Sequence, residues 1–263
     1  MIVDGKKIAE EILAQVKGDL ASFPRPLRLG LLFVNPNFAT QKFIAIKEKR
    51  ATDLGIAIVK KELSLGVTTE EAVRAAKELA AQTDGVIVQL PIEESIDAEA
   101  LIAAVPPSHD VDGMTPQHIA LSPVVAALKE ILMREGVSAL GKKVTVVGKG
   151  RLVGEPAAKW FEMEGAAVVT VDIEGNVKEA TCDADIVVMG TGHPGLLTPD
   201  MVKEGVVILD AGTSEASGKL AGDADPKVAE KASVFTPVPG GIGPIAVAMI
   251  FKNLLELARR NNP

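Results

Sequence analysis

The sequence predicts an α/β protein of two domains, each built on a parallel sheet, and three observations predict it. Short apolar runs rich in Val and Ile alternate with stretches of helical periodicity along the chain. Gly- and Pro-containing turns separate them, a pattern that calls for right-handed crossovers between parallel strands. One run, Val144-Thr145-Val146-Val147, passes through the turn Gly148-Lys149-Gly150-Arg151-Leu152-Val153-Gly154 into a helical pattern over residues 157–163.

The elements follow in order. Residues 5–20 have helical spacing, with Ile8, Ile12, Val16 and Leu20 on one stripe, until Ser22-Phe23-Pro24-Arg25-Pro26 breaks it. Strands are predicted over 27–34, 56–59 and 85–90, the last apolar apart from Gln89. Between them lie a long helix capped by Asn37 and ending at Leu54, and a second over 69–81 with Thr68 or Thr69 and Glu71 at its start. Asp97 caps a short helix that Pro106-Pro107 stops, and residues 108–120 read as a loop. A helix over Pro123–Arg134 opens a second series, with strands at 144–147, 168–171, Ile186–Met189, 206–209 and Val234–Phe235. A long helix over 243–260 ends the chain. The domain boundary is expected in the 108–117 loop, because a cofactor-binding unit usually starts just before its glycine turn.

Composition narrows the function. The chain's 263 residues suffice for one large core or two modest ones. A net charge of −7 argues against nucleic acid as a partner. Cys182 is the only cysteine, so no intrachain disulfide forms, which suits a reducing compartment. His109, His118 and His193 have no metal-ligand spacing, and no metal is expected. No apolar stretch is long enough for a signal peptide or a bilayer span, so a soluble cytoplasmic protein without a membrane partner is expected.

The glycine turn carries the first chemical signal. Backbone N–H groups at a helix N-terminus favour a phosphate. Gly148 would make the tight turn and Gly150 would let a pyrophosphate approach. The spacing is one residue longer than the usual dinucleotide fingerprint, and a plain strand-to-helix turn is the alternative. The next strand ends at Asp172, where a ribose hydroxyl would be met; the alternative is a turn with Gly175 and Asn176. Lys47 lies four residues after Phe43 on one helix face, among other charges, and by itself reads as solvated surface. Gln89 is either a satisfied core amide or a group at the carboxyl end of a parallel strand. Asp112, after Asp110 and before Gly113, reads as an Asx turn or a ligand carboxylate.

Four stretches, taken with the glycine turn, resemble the methylenetetrahydrofolate dehydrogenase/cyclohydrolase family. They are Phe43-Ile44-Ala45-Ile46-Lys47, Asp84-Gly85-Val86-Ile87-Val88-Gln89-Leu90-Pro91, Asp110-Val111-Asp112-Gly113 and Thr236-Pro237-Val238-Pro239-Gly240-Gly241-Ile242-Gly243-Pro244. The resemblance extends to Asp210-Ala211-Gly212 and Gly222-Asp223. It implies an N-terminal α/β substrate domain, a Rossmann-type dinucleotide domain, and a last helix returning to the first. The ranges expected are 1–117 with 243–263 for the catalytic domain and 118–242 for the NAD(P) domain.

The resemblance also implies the site. Lys47 would be the acid/base, Gln89 would tune its amine, and Asp112 would bond the pterin ring. Phe43, Val88, Leu90, Pro239, Gly240, Gly241, Ile242 and Gly243 would contact folate, and Gly148, Lys149, Gly150, Gly154, Asp172 and Thr213 the dinucleotide. The implied activity is oxidation of 5,10-methylenetetrahydrofolate followed by hydrolysis of the methenyl product, in a homodimer. NADP is the family's common cofactor, whereas the Asp172 carboxylate, followed by Glu174, favours NAD. Departures from the family pattern include Phe43 for a tyrosine, a shorter loop after Asp112, Leu121-Ser122-Pro123 for Cys-Thr-Pro, Lys149-Gly150 for Arg-Ser and Ala246 for a threonine, and the alternative they raise is a monofunctional dehydrogenase with weak or lost cyclohydrolase activity. An amino-acid or shikimate-type dehydrogenase would explain the glycine turn but not the Val88–Pro91 and Pro239–Gly243 runs. A folate-binding protein without activity is opposed by the intact Lys47, Gln89 and Asp112.

Overall fold

The computed structural model describes residues 1–216 and 219–261. The chain forms two compact units, one of Met1–Glu10 with Val124–Ala246, the other of Glu11–Pro123 with the chain from Val247 onward.

The second of these holds a three-stranded parallel sheet in the order β2-β1-β3, with β1 Arg28–Val34, β2 Ala57–Leu63 and β3 Gly85–Val88. Its central strand β1 is buried from Leu29 to Val34, as an inner parallel strand covered on both faces must be. The edge strand β2 runs to Leu63, four residues past the expected end. Lys60, Lys61 and Glu62 pair their main chain with β1 and remain exposed, which an edge strand permits. β3 is shorter than expected, and Gln89 lies just beyond it, its N–H still bonded to Leu32 O at 2.8 Å.

Local signals place the helices. α1 is Gly5–Ala21, and α2, Phe38–Leu54, starts where the Asn37 side chain accepts from Thr40 N and stops at Gly55 in the left-handed region. Thr68 and Glu71 form a reciprocal capping box at the start of α3, Thr69–Ala80. Its buried alanines and Leu79 pack with Leu32, Val34, Val86 and Val88. Asp97 caps α4, Ala98–Ala103, and the segment read as a loop begins with a 3-10 turn, Pro107–His109. The last helix, α8 (Ile242–Asn261), ties back to this segment. Asn253 Nδ2 donates to Val111 O and Leu121 O, both at 2.9 Å, satisfying two carbonyls of an irregular stretch.

The other unit is a five-stranded parallel sheet in the order β10-β7-β6-β4-β5. Its strands are β4 Lys143–Val147, β5 Ala167–Val171, β6 Ile186–Met189, β7 Val207–Asp210 and β10 Val234–Phe235. α5 (Pro123–Arg134) precedes β4; α6 (Gly154–Met163) and α7 (Val177–Thr181) follow β4 and β5. The chain leaves β4 toward β5 on one side and returns to β6 on the other, so the order reverses between β4 and β6. An antiparallel hairpin, β8 Ser214–Ala216 and β9 Lys219–Ala221, was not foreseen, since its strands are short and lack an apolar alternation. The N-terminus covers the outer edge of β10: Val3 N donates to Phe235 O and Phe235 N to Met1 O, both at 2.9 Å. Among the described residues no helix is long and apolar enough to cross a membrane.

Candidate active site

Lys47, Gln89 and Asp112 come together from three elements of the first sheet's unit. α2 presents Lys47 half-buried, and its Nζ donates to Gln89 Oε1 at 2.7 Å. The other end of that amide is fixed, because Gln89 Nε2 donates to Leu90 O at 2.8 Å. A carbonyl only accepts, so the oxygen of Gln89 must face the lysine. Burial lowers the Lys47 pKa from the ordinary lysine value, and the charge of Asp112 opposes the shift. Burial pushes Asp112 up to about 6, with Lys47 working against it and Asp110 with it. Asp110 is itself committed, its Oδ2 accepting from Thr115 N at 2.7 Å. The Asp112 carboxylate has no hydrogen-bond partner among the described residues, so it stands ready to accept from a ligand. Val88 is buried at the end of β3, Leu90 is half-buried, and Phe43 is 47% exposed one turn before Lys47.

The glycine turn sits at the carboxyl end of β4, where the sheet order reverses and α/β proteins bind ligands. Its three glycines differ in what the protein requires of them. Gly148 has φ +99° and packs against Gly190, whose oxygen a Cβ would approach to 2.5 Å. A Cβ on Gly154 would stand 2.0 Å from Gly148 O. Gly150 has no protein atom within 4 Å of where its Cβ would be, so the main chain there is open to an approaching group. These residues fit a dinucleotide: two glycines fold the turn and the third leaves room for a phosphate. Lys149 and Thr213 are exposed, with no side-chain hydrogen bond among the described residues. Asp172 follows β5 directly and is exposed; its Oδ1 accepts from Ile173 N and its carbonyl from Gly175 N, both at 2.9 Å. It thus makes the turn that was the alternative reading, while keeping one carboxylate oxygen without a partner.

The proline-glycine run forms a tight loop before α8, closed by Gly241 N to Pro237 O at 2.7 Å. Gly240 has φ +108°, and Gly241 lies where a Cβ would be 2.6 Å from Pro237 O. Ile242 is buried, Pro239 and Gly243 are exposed, and Gly243 has nothing within 4 Å of its missing Cβ. Asp210 and Asp223 lie in stretches that resemble the family, with no role implied for either. Both are buried, and together they hold the loops after β6 and β7.

Comparison with known proteins fits this geometry. The model of the tetrahydrofolate dehydrogenase/cyclohydrolase catalytic domain matches residues 3–112, and that of the family's NAD(P)-binding domain matches residues 122–262. The bifunctional protein FolD of Halothermothrix orenii is 37% identical over 276 residues, covering 97% of this chain and 96% of that protein. Among solved structures, FolD methylenetetrahydrofolate dehydrogenase/cyclohydrolase from Campylobacter jejuni superposes with a TM-score of 0.94 at 28% identity, covering 99% of each chain. The Trypanosoma brucei enzyme, solved with NADP and an inhibitor, superposes at 0.93 and 28% identity over 99% of this chain and 98% of that one. With both domain models matched in order and a relative above one-third identity along nearly its whole length, the chain belongs to the tetrahydrofolate dehydrogenase/cyclohydrolase family.

Proposed function

We propose that this chain oxidises 5,10-methylenetetrahydrofolate to the methenyl cation and hydrolyses that product to 10-formyltetrahydrofolate, with Lys47, Gln89 and Asp112 as the working groups. The observation that carries the reading is the 2.7 Å bond from Lys47 Nζ to Gln89 Oε1 beside an unpartnered carboxylate. A bound nicotinamide supplies the two-electron oxidation of the bridging carbon. Hydrolysis falls to the chain's own groups. Lys47, with its pKa lowered by burial, offers a neutral amine nearer neutral pH than an exposed lysine would. Its Nζ takes a proton from the water that adds to the methenyl carbon and returns it to N5 as the C–N5 bond breaks. The second water proton leaves as the hydroxyl collapses to the formyl group. Gln89 aims the amine, and Asp112, ionised above about 6, accepts from the pterin N–H edge. Lys47→Met should leave the fold intact, slow hydrolysis by roughly 10²–10⁴-fold and let the methenyl compound accumulate. Hydrolysis at the parent rate would remove Lys47 from that role.

For the cofactor, the reading is NAD over NADP. The free oxygen of Asp172 can accept from a ribose hydroxyl, whereas a 2′-phosphate there would meet like charge. At about 4 Å and an effective dielectric near 20 the repulsion is on the order of 4 kcal/mol before screening, and the exposed position reduces it. Asp172→Ser should move the ratio of kcat/KM values toward NADP. A parent that already prefers NADP, with no shift in the variant, would assign the choice to Lys149 or another group.

The chain is also read as a homodimer, joined through β5. That strand is an edge without a described outer neighbour, and Val169 on it is 54% exposed. An open edge of β-branched residues is a ready template for pairing with a second copy.

A further inference from the structure

We propose that Asp223 is a positioning residue of the dinucleotide site, presetting the segment against which the glycine turn packs; the proposal rests on the function read above. Asp223 is fully buried, and its Oδ2 collects three donors: Thr191 N at 2.6 Å, Thr191 Oγ1 at 2.9 Å and Gly192 N at 3.1 Å. Thr191 and Gly192 follow β6 at the carboxyl end of the sheet, beside the reversal in strand order. Directly before them, Gly190 touches the glycine turn. A Cβ on Gly190 would stand 2.5 Å from Val153 Cγ1, and one on Gly148 would stand 3.2 Å from Thr191 Cγ2. What Asp223 holds is therefore one wall of the turn.

The hold is polar throughout. Thr191 Oγ1, while donating to Asp223, accepts from His193 N at 3.1 Å, and Ser214 Oγ donates to Gly192 O at 2.6 Å. Asp223 is locked in turn by Asp210, whose carboxylate accepts from the N–H groups of Gly212, Asp223 and Ala224. The two carboxylates interlock across glycines. A Cβ on Gly212 would lie 2.2 Å from Asp223 Cγ, and one on Gly222 would lie 2.2 Å from Asp210 Oδ2.

One oxygen makes a purely structural role a poor account. Asp223 Oδ1 is buried without any hydrogen-bond partner among the described residues. Asp210 is the neighbouring carboxylate, and no salt bridge to either aspartate is found among the described residues. Burying a carboxylate with an orphan oxygen is costly, because its charge is desolvated while only one of its two oxygens is bonded. A group kept at such a cost beside a ligand site is expected where its charge sharpens the geometry, as charge-assisted bonds to backbone N–H groups do.

The test compares Asp223→Asn with the parent in three measurements. Titration calorimetry gives Kd for NAD and NADP, amide exchange in the protein without ligand reports Thr191 and Gly192, and the two activities are assayed separately. Asp223→Asn keeps an acceptor of the same shape and loses the charge. It should raise Kd for both dinucleotides by about tenfold, the scale of one charge-assisted bond. Exchange at Thr191 and Gly192 should quicken. The loss should fall on the dinucleotide-dependent reaction and not in equal proportion on the hydrolytic one. Parent-like Kd values, or equal losses of both activities, would overturn the proposal. Should that variant not fold, Thr191→Val removes only the hydroxyl arm, and an unchanged Kd there overturns it equally. The parent's own activities report on the proposed function and the variant-to-parent ratios on Asp223, so the two fail separately.

Discussion

Asp112 and Lys47 share one half-buried space, and burial shifts the protonation of both. Asp112 is raised by burial from 3.8 to about 6, so between those values the folded protein holds a proton that the unfolded chain releases. A folded pKa above the unfolded one means stability is fullest below about 4 and falls as pH rises through about 6. Asp112→Asn should flatten that fall. A shift of about two units is worth up to about 3 kcal/mol, and partial exposure reduces it to on the order of 1–2 kcal/mol. Denaturant melts of parent and variant at pH 4 and pH 7 would read it; the same change in stability between the two pH values in both proteins would mean that Asp112 does not titrate in that window. The same variant should weaken folate binding by about 1.5–3 kcal/mol, the loss of a hydrogen bond to a charged group. Unchanged folate affinity would remove Asp112 from pterin recognition. In the sequence Lys47, a lysine among charges on a helix, looks like surface. Apart from the family motif, what marks it out is Gln89, brought beside it from another element.

At the scale of elements, the sequence is explicit where a local rule acts alone. Asn37, Thr68 with Glu71, and Asp97 each begin a helix as their side chains dictate. β2 was cut short because its polar end is tolerated only at a sheet edge, and edge position is not a local property. The glycine turn separates the two kinds of constraint and can be tested. Gly154→Ala puts a methyl 2.0 Å from a backbone oxygen that cannot swing away, and should cost about 1–3 kcal/mol, a fall in Tm of roughly 2–12 °C. Gly150→Ser meets open space and should leave Tm unchanged. Equal melting temperatures for all three proteins would mean that the turn relaxes around a methyl at Gly154.

On the scale of the whole molecule, the two edges of the five-stranded sheet are treated differently. The N-terminal residues bond along β10, while β5 has no outer neighbour among the described residues and Val169 on it is exposed. If two copies pair there, Val169→Lys places a charge on the shared edge and should yield monomers in sedimentation velocity at micromolar concentration. A variant that sediments as the parent does would put any dimer interface elsewhere.

The α/β class, the alternation of strands and helices, most helix caps and the family are legible along the chain, because each rests on local periodicity or on contiguous motifs. Which strands are central, where the order of the larger sheet reverses, and that Gln89 turns its oxygen to Lys47 emerge only in the folded chain. It alone shows Asp210 and Asp223, thirteen residues apart, as an interlocked buried pair. The physical reason is the same in each case. Burial and hydrogen-bond partners depend on what distant segments bring to a position, and no window along the chain contains both sides of the contact.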